Sequence, residues 1–264
     1  MLTEPTMEKL YAMRLAAMAA AWQQQHGDAN VAELGFDDRF TLLVEAEHIA
    51  RDNRKLDRLL KQAQLRIASA CVEDVDASGP RGLEKSALRQ LAACTWVREH
   101  LNLLISGATG VGKSYVACAL GHMACRQGLR VAYRRVPRLF DELSLAKAEG
   151  SYARALGKLA KHELLILDDL GIGQLTEAQR HDLLELLDDR YGHSSTLVTS
   201  QLPIGEWHAW IGDPTLADAI LDRLVHNAQK ITLKGPSRRK ESAEAKHGRQ
   251  TPYVAGAPIT MRDR

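Results

Sequence analysis

The residues best suited to chemistry lie in two short stretches, GATGVGKS at 107–114 and LLILDD at 164–169. In the first, Gly107, Gly110 and Gly112 let the backbone curl so that successive N–H groups face one point, and a lysine and a serine follow at once. The spacing fits G-x-x-x-x-G-K-[ST], a loop that cradles phosphate. In that pattern Gly107, Ala108, Thr109, Gly110, Val111 and Gly112 supply the backbone cradle. Lys113 reaches the β- and γ-phosphates, Ser114 ligates Mg²⁺, and Tyr115 follows in the first helical turn. The ligand this implies is ATP with Mg²⁺. In the second stretch four apolar residues run straight into Asp168 and Asp169. Adjacent carboxylates at a strand tip repel each other and need a cation, a proton or solvent. With a phosphate loop upstream, Asp168 is placed to hold Mg²⁺ and Asp169 to orient or deprotonate an attacking water.

Two further places could act on a transferring phosphoryl group. The stretch STLVTSQLP at 195–203 ends a strand in polar residues, with Gln201 the first candidate for a γ-phosphate sensor and Thr199 the second. An ordinary polar strand end reads the same way. Arg223 lies in a helical pattern with Leu221, Leu224 and Val225, beside Asp222. An arginine there could stabilise transition-state charge, often from a neighbouring subunit, or could be a surface arginine flanked by an acid.

These residues need strands and helices to position them. Short apolar runs at 101–106, 130–136, 164–168, 196–200 and 230–234 predict strands, and helical patterns predict helices at about 112–126, 137–147, 176–191 and 215–228. Apolar strands alternating with helices predict an α/β fold, a five-stranded parallel sheet covered on both faces. The region before it is different. Residues 5–25 and 36–70 carry helical periodicity, and DASGP at 76–80 has turn chemistry. The expected organisation is therefore a helical N-terminal domain at 1–76, a nucleotide-binding core at 77–247 and a loose tail at 248–264.

The chain has 264 residues, 45% hydrophobic and 26% charged, which suits one or two globular domains. It contains no apolar run long enough to span a membrane, and MLTEPTMEKL lacks a basic-then-apolar leader pattern, which points to the cytosol. Cys71, Cys94, Cys118 and Cys125 form no C-x-x-C pair, so reduced thiols are expected. A net charge of +2 hides two basic stripes. Arg51, Arg54, Lys55, Arg58 and Lys61 fall near one helical face in a run that extends to Arg66, and Arg134, Arg135 and Arg138 follow the second predicted strand. Either stripe could track a phosphate backbone or be a solvated face.

Taken together, the segments NLLISGATGVGKSYVACALG, RVAYRRVPRL, LLILDDLG, STLVTSQLP, WHAWIGDPTLADAILDRLVHNA and LKGPSRRK resemble those of the IstB-type helper ATPases of bacterial insertion sequences. That family is of the AAA+ class and is related to DnaC helicase loaders and DnaA. The resemblance extends to about residue 247, and DRFTLLVEAEHIARDNRKLDRLLKQAQL looks like the helper-specific helical domain. It implies that Arg223 is an arginine finger acting across an oligomer interface and that Gln201 is the first sensor. It also implies that Arg239, or the adjacent Arg238, is the second sensor. Asp169 stands where many such proteins have glutamate, which suits slow, switch-like hydrolysis. The implied function is ATP-dependent assembly of a homo-oligomer on double-stranded DNA, largely without sequence preference, in support of a cognate transposase. A DnaC-like helicase loader is the alternative, and a monomeric P-loop kinase would need neither the basic stripes nor the Arg223 segment.

Overall fold

The computed structural model of the protein describes residues 3–28, 31 and 33–238; Arg239 and the 248–264 segment lie outside the described residues. The N-terminal region is helical, with breaks that periodicity does not reveal. Helix α1 (Thr3–Ala12) and helix α2 (Ala16–Gln25) replace the single helix expected over 5–25, because Arg14 adopts a left-handed φ of 60°. Helix α3 (Phe36–Ala63) stops seven residues before the expected end at 70, because Gln64 is left-handed at φ 53°. Leu65 and Ile67 then turn onto the apolar core.

Glu47 pins α2 to α3. Its carboxylate, only 4% exposed, accepts from the backbone N–H groups of Ala17 at 2.9 Å and Met18 at 3.2 Å. These are orphan donors at the start of α2, which a carboxylate suits electrostatically. The same carboxylate pairs with Arg51 and Arg54, each at 2.9 Å.

Short turns at 72–74 and 79–81 lead to helices α4 (Lys85–Ala92) and α5 (Thr95–Arg98). Five strands follow: β1 (Asn102–Gly107), β2 (Val131–Arg135), β3 (Leu164–Leu170), β4 (Ser195–Ser200) and β5 (Ala228–Leu233). All pairings are parallel and the order is β2-β3-β4-β1-β5. Between the strands lie α6 (Lys113–Arg126), α7 (Val136–Ala148), α8 (Tyr152–Ala160), α9 (Glu177–Asp188), α10 (Trp207–Ile211) and α11 (Pro214–Val225). Helix α8, which the sequence patterns did not suggest, sits inside the β2-to-β3 crossover.

Strand alternation divides the core into two layers. Leu103, Ile105, Leu164 and Ile166 face one layer, which holds α6 and Leu59 and Ala63 from the end of α3. Leu104, Leu165, Leu167 and Val198 face the other, filled from α7, α8, α9 and α11. With both faces covered, the central strands β1, β3 and β4 are buried along nearly their whole length, as the LLIL run requires, whereas the edge strand β5 exposes Gln229, Lys230 and Thr232. Among the described residues, two helix starts carry side-chain caps. Thr176 and Gln179 form a reciprocal capping box on α9, and Asp213 accepts from Leu216 N at 2.8 Å to cap α11 at its Pro214 start. The parallel arrangement brings the carboxyl ends of β1, β3 and β4 together, where ligands of open α/β sheets bind.

Candidate functional site

The site begins where β1 ends. Gly107 has φ 146°, and any side chain there would strike the Leu233 carbonyl of β5. Gly110 has φ 86° and faces Ser237, while Gly112 at φ 102° forms the N-cap of α6. Only glycine takes these backbone angles freely, so the loop curls as its sequence implies. Lys113 folds back across the loop, donating to the carbonyls of Gly107 at 2.8 Å and Ala108 at 2.9 Å. The loop forms one wall of a cleft of about 880 Å³.

Asp168 is 0% exposed at the tip of β3. It accepts from Ser114 Oγ at 2.9 Å to each oxygen, from the Tyr133 hydroxyl at 2.6 Å and from Thr199 Oγ1 at 2.5 Å. Such a cage satisfies a buried carboxylate. Burial, and then the bond to Asp168, push the Tyr133 phenol up, so it stays a donor. Asp169 departs from the strand. Its φ is 65°, and the β3–β4 register shifts between Leu167 and Leu170. Aspartate tolerates this left-handed geometry better than most residues. The Asp169 N–H donates to Thr199 Oγ1 at 3.1 Å, and its side chain bonds Arg135 at 2.9 Å. The bulge therefore solves the adjacent-carboxylate problem: Asp168 faces Ser114 beneath the loop, and Asp169 lines the cleft.

The two sensor candidates occupy different positions. Thr199 is buried under the carboxylates, whereas Gln201 lines the cleft and accepts from Thr109 Oγ1 at 2.7 Å. Also lining the cleft, Asp76 joins Arg81, at 3.0 Å, and Arg238. Arg81 donates to the Val111 carbonyl at 2.9 Å and Arg238 N to the Gly110 carbonyl at 3.0 Å, so both hold the loop while lining the same cleft. Arg239 lies outside the described residues.

Arg223 lies elsewhere. Its guanidinium pairs with Asp188 and, at 3.7 Å, with Asp222, and its carbonyl accepts from Asn102 Nδ2 at 2.8 Å. Asn102 starts β1 and Gly107 ends it, so about 17 Å of strand, at roughly 3.3 Å per residue, separates Arg223 from its own phosphate loop.

The basic stripes are also redistributed. Arg51 and Arg54 share Glu47, while Lys55, Arg58 and Lys61 are exposed on the same side of α3. Arg134 pairs with Glu142 and donates to the Gln64 side chain, both at 3.1 Å. Arg135 enters the cleft, and Arg138 is exposed on α7. Arg66, counted only as part of a basic run in the sequence, reaches the cleft with Nη1 3.5 Å from Asp168 Oδ2 and 3.7 Å from Asp169 Oδ2. Tyr133 carried no sequence signal beyond lying on a predicted strand that ends beside β3. The cysteines are free, and burial pushes the thiols of Cys94 and Cys118 up to about 11 and that of Cys125 to about 12.

These donors fit a nucleotide and its metal. The loop offers backbone N–H groups and a lysine to phosphates, and Ser114 with Asp168 offers the hard oxygens that Mg²⁺ takes. The sheet order and site define a P-loop protein of the AAA+ class. The family model for the IstB-like ATP binding protein matches residues 8–245, and the chain belongs to that family. The Sinorhizobium fredii protein y4pL, named as an insertion sequence ATP-binding protein, is 50% identical over 240 residues, covering 91% of this chain and 98% of that one. The ATP-binding protein named for the insertion sequence IS1162 of Pseudomonas fluorescens is 48% identical over 203 residues, covering 77% of this chain and 88% of its own. Among solved structures, DnaI aligns with a TM-score of 0.58 at 24% identity over 69% of this chain and 100% of its own. AMPPCP-bound DnaA from Aquifex aeolicus aligns with a TM-score of 0.53 at 16% identity over 69% of this chain and 56% of its own. At such identities these two likenesses show the fold. Among the described residues, no helix is long and apolar enough to cross a membrane.

Proposed function

We propose that this protein is an ATP-hydrolysing helper of transposition that assembles on double-stranded DNA and acts with a cognate transposase. The observation that carries the hydrolytic part is the division of labour between Asp168, caged against Ser114, and Asp169, turned into the cleft by the bulge. Lys113 and the loop N–H groups bind the phosphates. Ser114 and Asp168 would hold Mg²⁺, which when bound neutralises phosphate charge. Asp169 orients the water and takes its proton, and Gln201 senses the phosphate end of the cleft. In this reading 1–76 is the helical assembly domain, 77–247 the ATPase core and 248–264 the tail.

Arg223 cannot serve its own cleft from the far end of β1, which supports a role on a neighbouring subunit's nucleotide and hence a side-by-side homo-oligomer. Arg58 and Lys61 on α3 and Arg138 on α7 are exposed for DNA phosphates, with Arg51, Arg54 and Lys55 beside them. Contacts of that kind carry little sequence information. The names of the relatives favour insertion-sequence work over helicase loading. The decisive experiment measures ATP binding and ATP-dependent assembly on duplex DNA for wild type and Lys113→Ala. Loss of both in the variant is expected. Assembly that ignores nucleotide in the wild type would refute the proposal.

A further inference from the structure

Arg66 is outside the nucleotide-binding core as the sequence delimits it, yet its guanidinium faces both carboxylates at the phosphate end. The chain around it is anchored. Leu65 and Ile67, on either side, pack against the apolar layer beneath α6. Leu65 lies close enough to Gly121 of α6 that a Cβ there would sit 3.0 Å from it. Gln64, the residue that ends α3, accepts from Arg134 at the end of β2. Arg66 is thus held between the end of a basic helix and the tip of β3.

Its surroundings differ from those of Arg135. Arg135 makes a 2.9 Å bond to Asp169. Arg66 stands at 3.5 and 3.7 Å from the two carboxylates and is 38% exposed, longer than the roughly 2.7–2.9 Å of a tight charge-assisted bond. It is drawn to these acids without being locked onto them. A divalent cation arriving at Asp168 repels a guanidinium at this distance, and a terminal phosphate oxygen attracts it. Either way the energy of Arg66 depends on what the cleft holds, and such a differential interaction is what shifts a conformational equilibrium.

We propose that Arg66 is a positioning residue that couples helix α3 to the phosphate end of the nucleotide cleft. The inference rests on the ATP and DNA reading above. A move of Arg66 toward the phosphates draws on Gln64 and the last turns of α3, which carry Arg58 and Lys61 on their outer side. Nucleotide then alters how α3 presents its cations. By linkage, DNA held on α3 alters nucleotide affinity by the same factor.

The test is hydrogen exchange on the full chain, comparing ADP with a non-hydrolysable ATP analogue and Mg²⁺ at saturating occupancy. In wild type the amides of 56–70 should change their exchange between the two ligands by about 5-fold or more. Arg66→Gln should abolish that difference with nucleotide still bound, and Arg66→Lys should restore part of it. Wild-type exchange that does not distinguish the ligands, or an Arg66→Gln protein that keeps the full difference, would overturn the inference. The first of these outcomes needs no variant to fold. A parallel titration with duplex DNA separates the two readings. A wild type whose 56–70 segment responds to the ATP analogue but which binds no DNA supports the Arg66 coupling and refutes the DNA role.

Discussion

Thr199 bonds the two acidic residues of β3 at once: its hydroxyl donates to Asp168 Oδ1 at 2.5 Å and accepts from the Asp169 N–H at 3.1 Å. One side chain on β4 therefore fixes both the cage around the buried carboxylate and the turn that frees its neighbour. Thr199→Val keeps the shape, removes one donor to Asp168 and orphans the Asp169 N–H. Stability should fall by about 1–3 kcal/mol in urea unfolding. Hydrolysis should fall more than nucleotide affinity, because the geometry of Asp169 is lost while the phosphate loop remains.

Asp169→Asn should preserve the left-handed turn, which asparagine also tolerates, while removing the carboxylate proposed as the base. ATP binding should stay close to wild type and turnover should drop by roughly 10²–10⁴-fold. DNA complexes formed with ATP should then outlive those of the wild type in a filter-retention assay. Unchanged turnover would place the base elsewhere.

The exposed cations can be tested by salt. Replacing Arg58, Lys61 and Arg138 with glutamine should weaken binding on every duplex alike. The slope of log affinity against log salt should become shallower by about 0.9 for each DNA phosphate that the variant no longer neutralises. Replacing Arg134, which is held by Glu142 and Gln64, should change that slope less. A triple variant with the wild-type slope would return these residues to a plain solvated surface.

Arg223 sits at the amino end of the sheet, so the finger role proposed for it requires a second molecule. Wild-type turnover should rise faster than linearly with protein concentration, and DNA should promote it by gathering subunits. Arg223→Ala should bind ATP and fail to hydrolyse it. Mixed with Lys113→Ala, which keeps a finger and loses a site, it should regain activity at some interfaces. No recovery at any mixing ratio, together with concentration-independent turnover, would leave Arg223 a structural partner of Asp188.

By itself the sequence determined the chemistry that is local. Three glycines, a lysine and a serine within eight residues specify a phosphate loop because backbone angles and side-chain order there depend on neighbours only. The apolar runs of β1, β3 and β4 announced central parallel strands because strands buried on both faces have no polar side to interrupt them, while β5, at the edge, keeps polar residues. Tertiary structure decided everything that depends on long-range approach. The left-handed turns at Arg14 and Gln64 carry no periodic signal, so 5–25 and 36–70 read as continuous helices. The basic residues are the clearest case. Arg51, Arg58 and Arg66 look alike in a run of cations, yet one holds Glu47, one faces solvent and one faces the aspartates of β3. Charge is read from composition, but its partner is chosen by packing. The way α3 lies on α6 and β2 turned the end of a surface stripe into part of the nucleotide cleft, since a long side chain near a buried carboxylate is held by the field it meets and not by its place in the sequence.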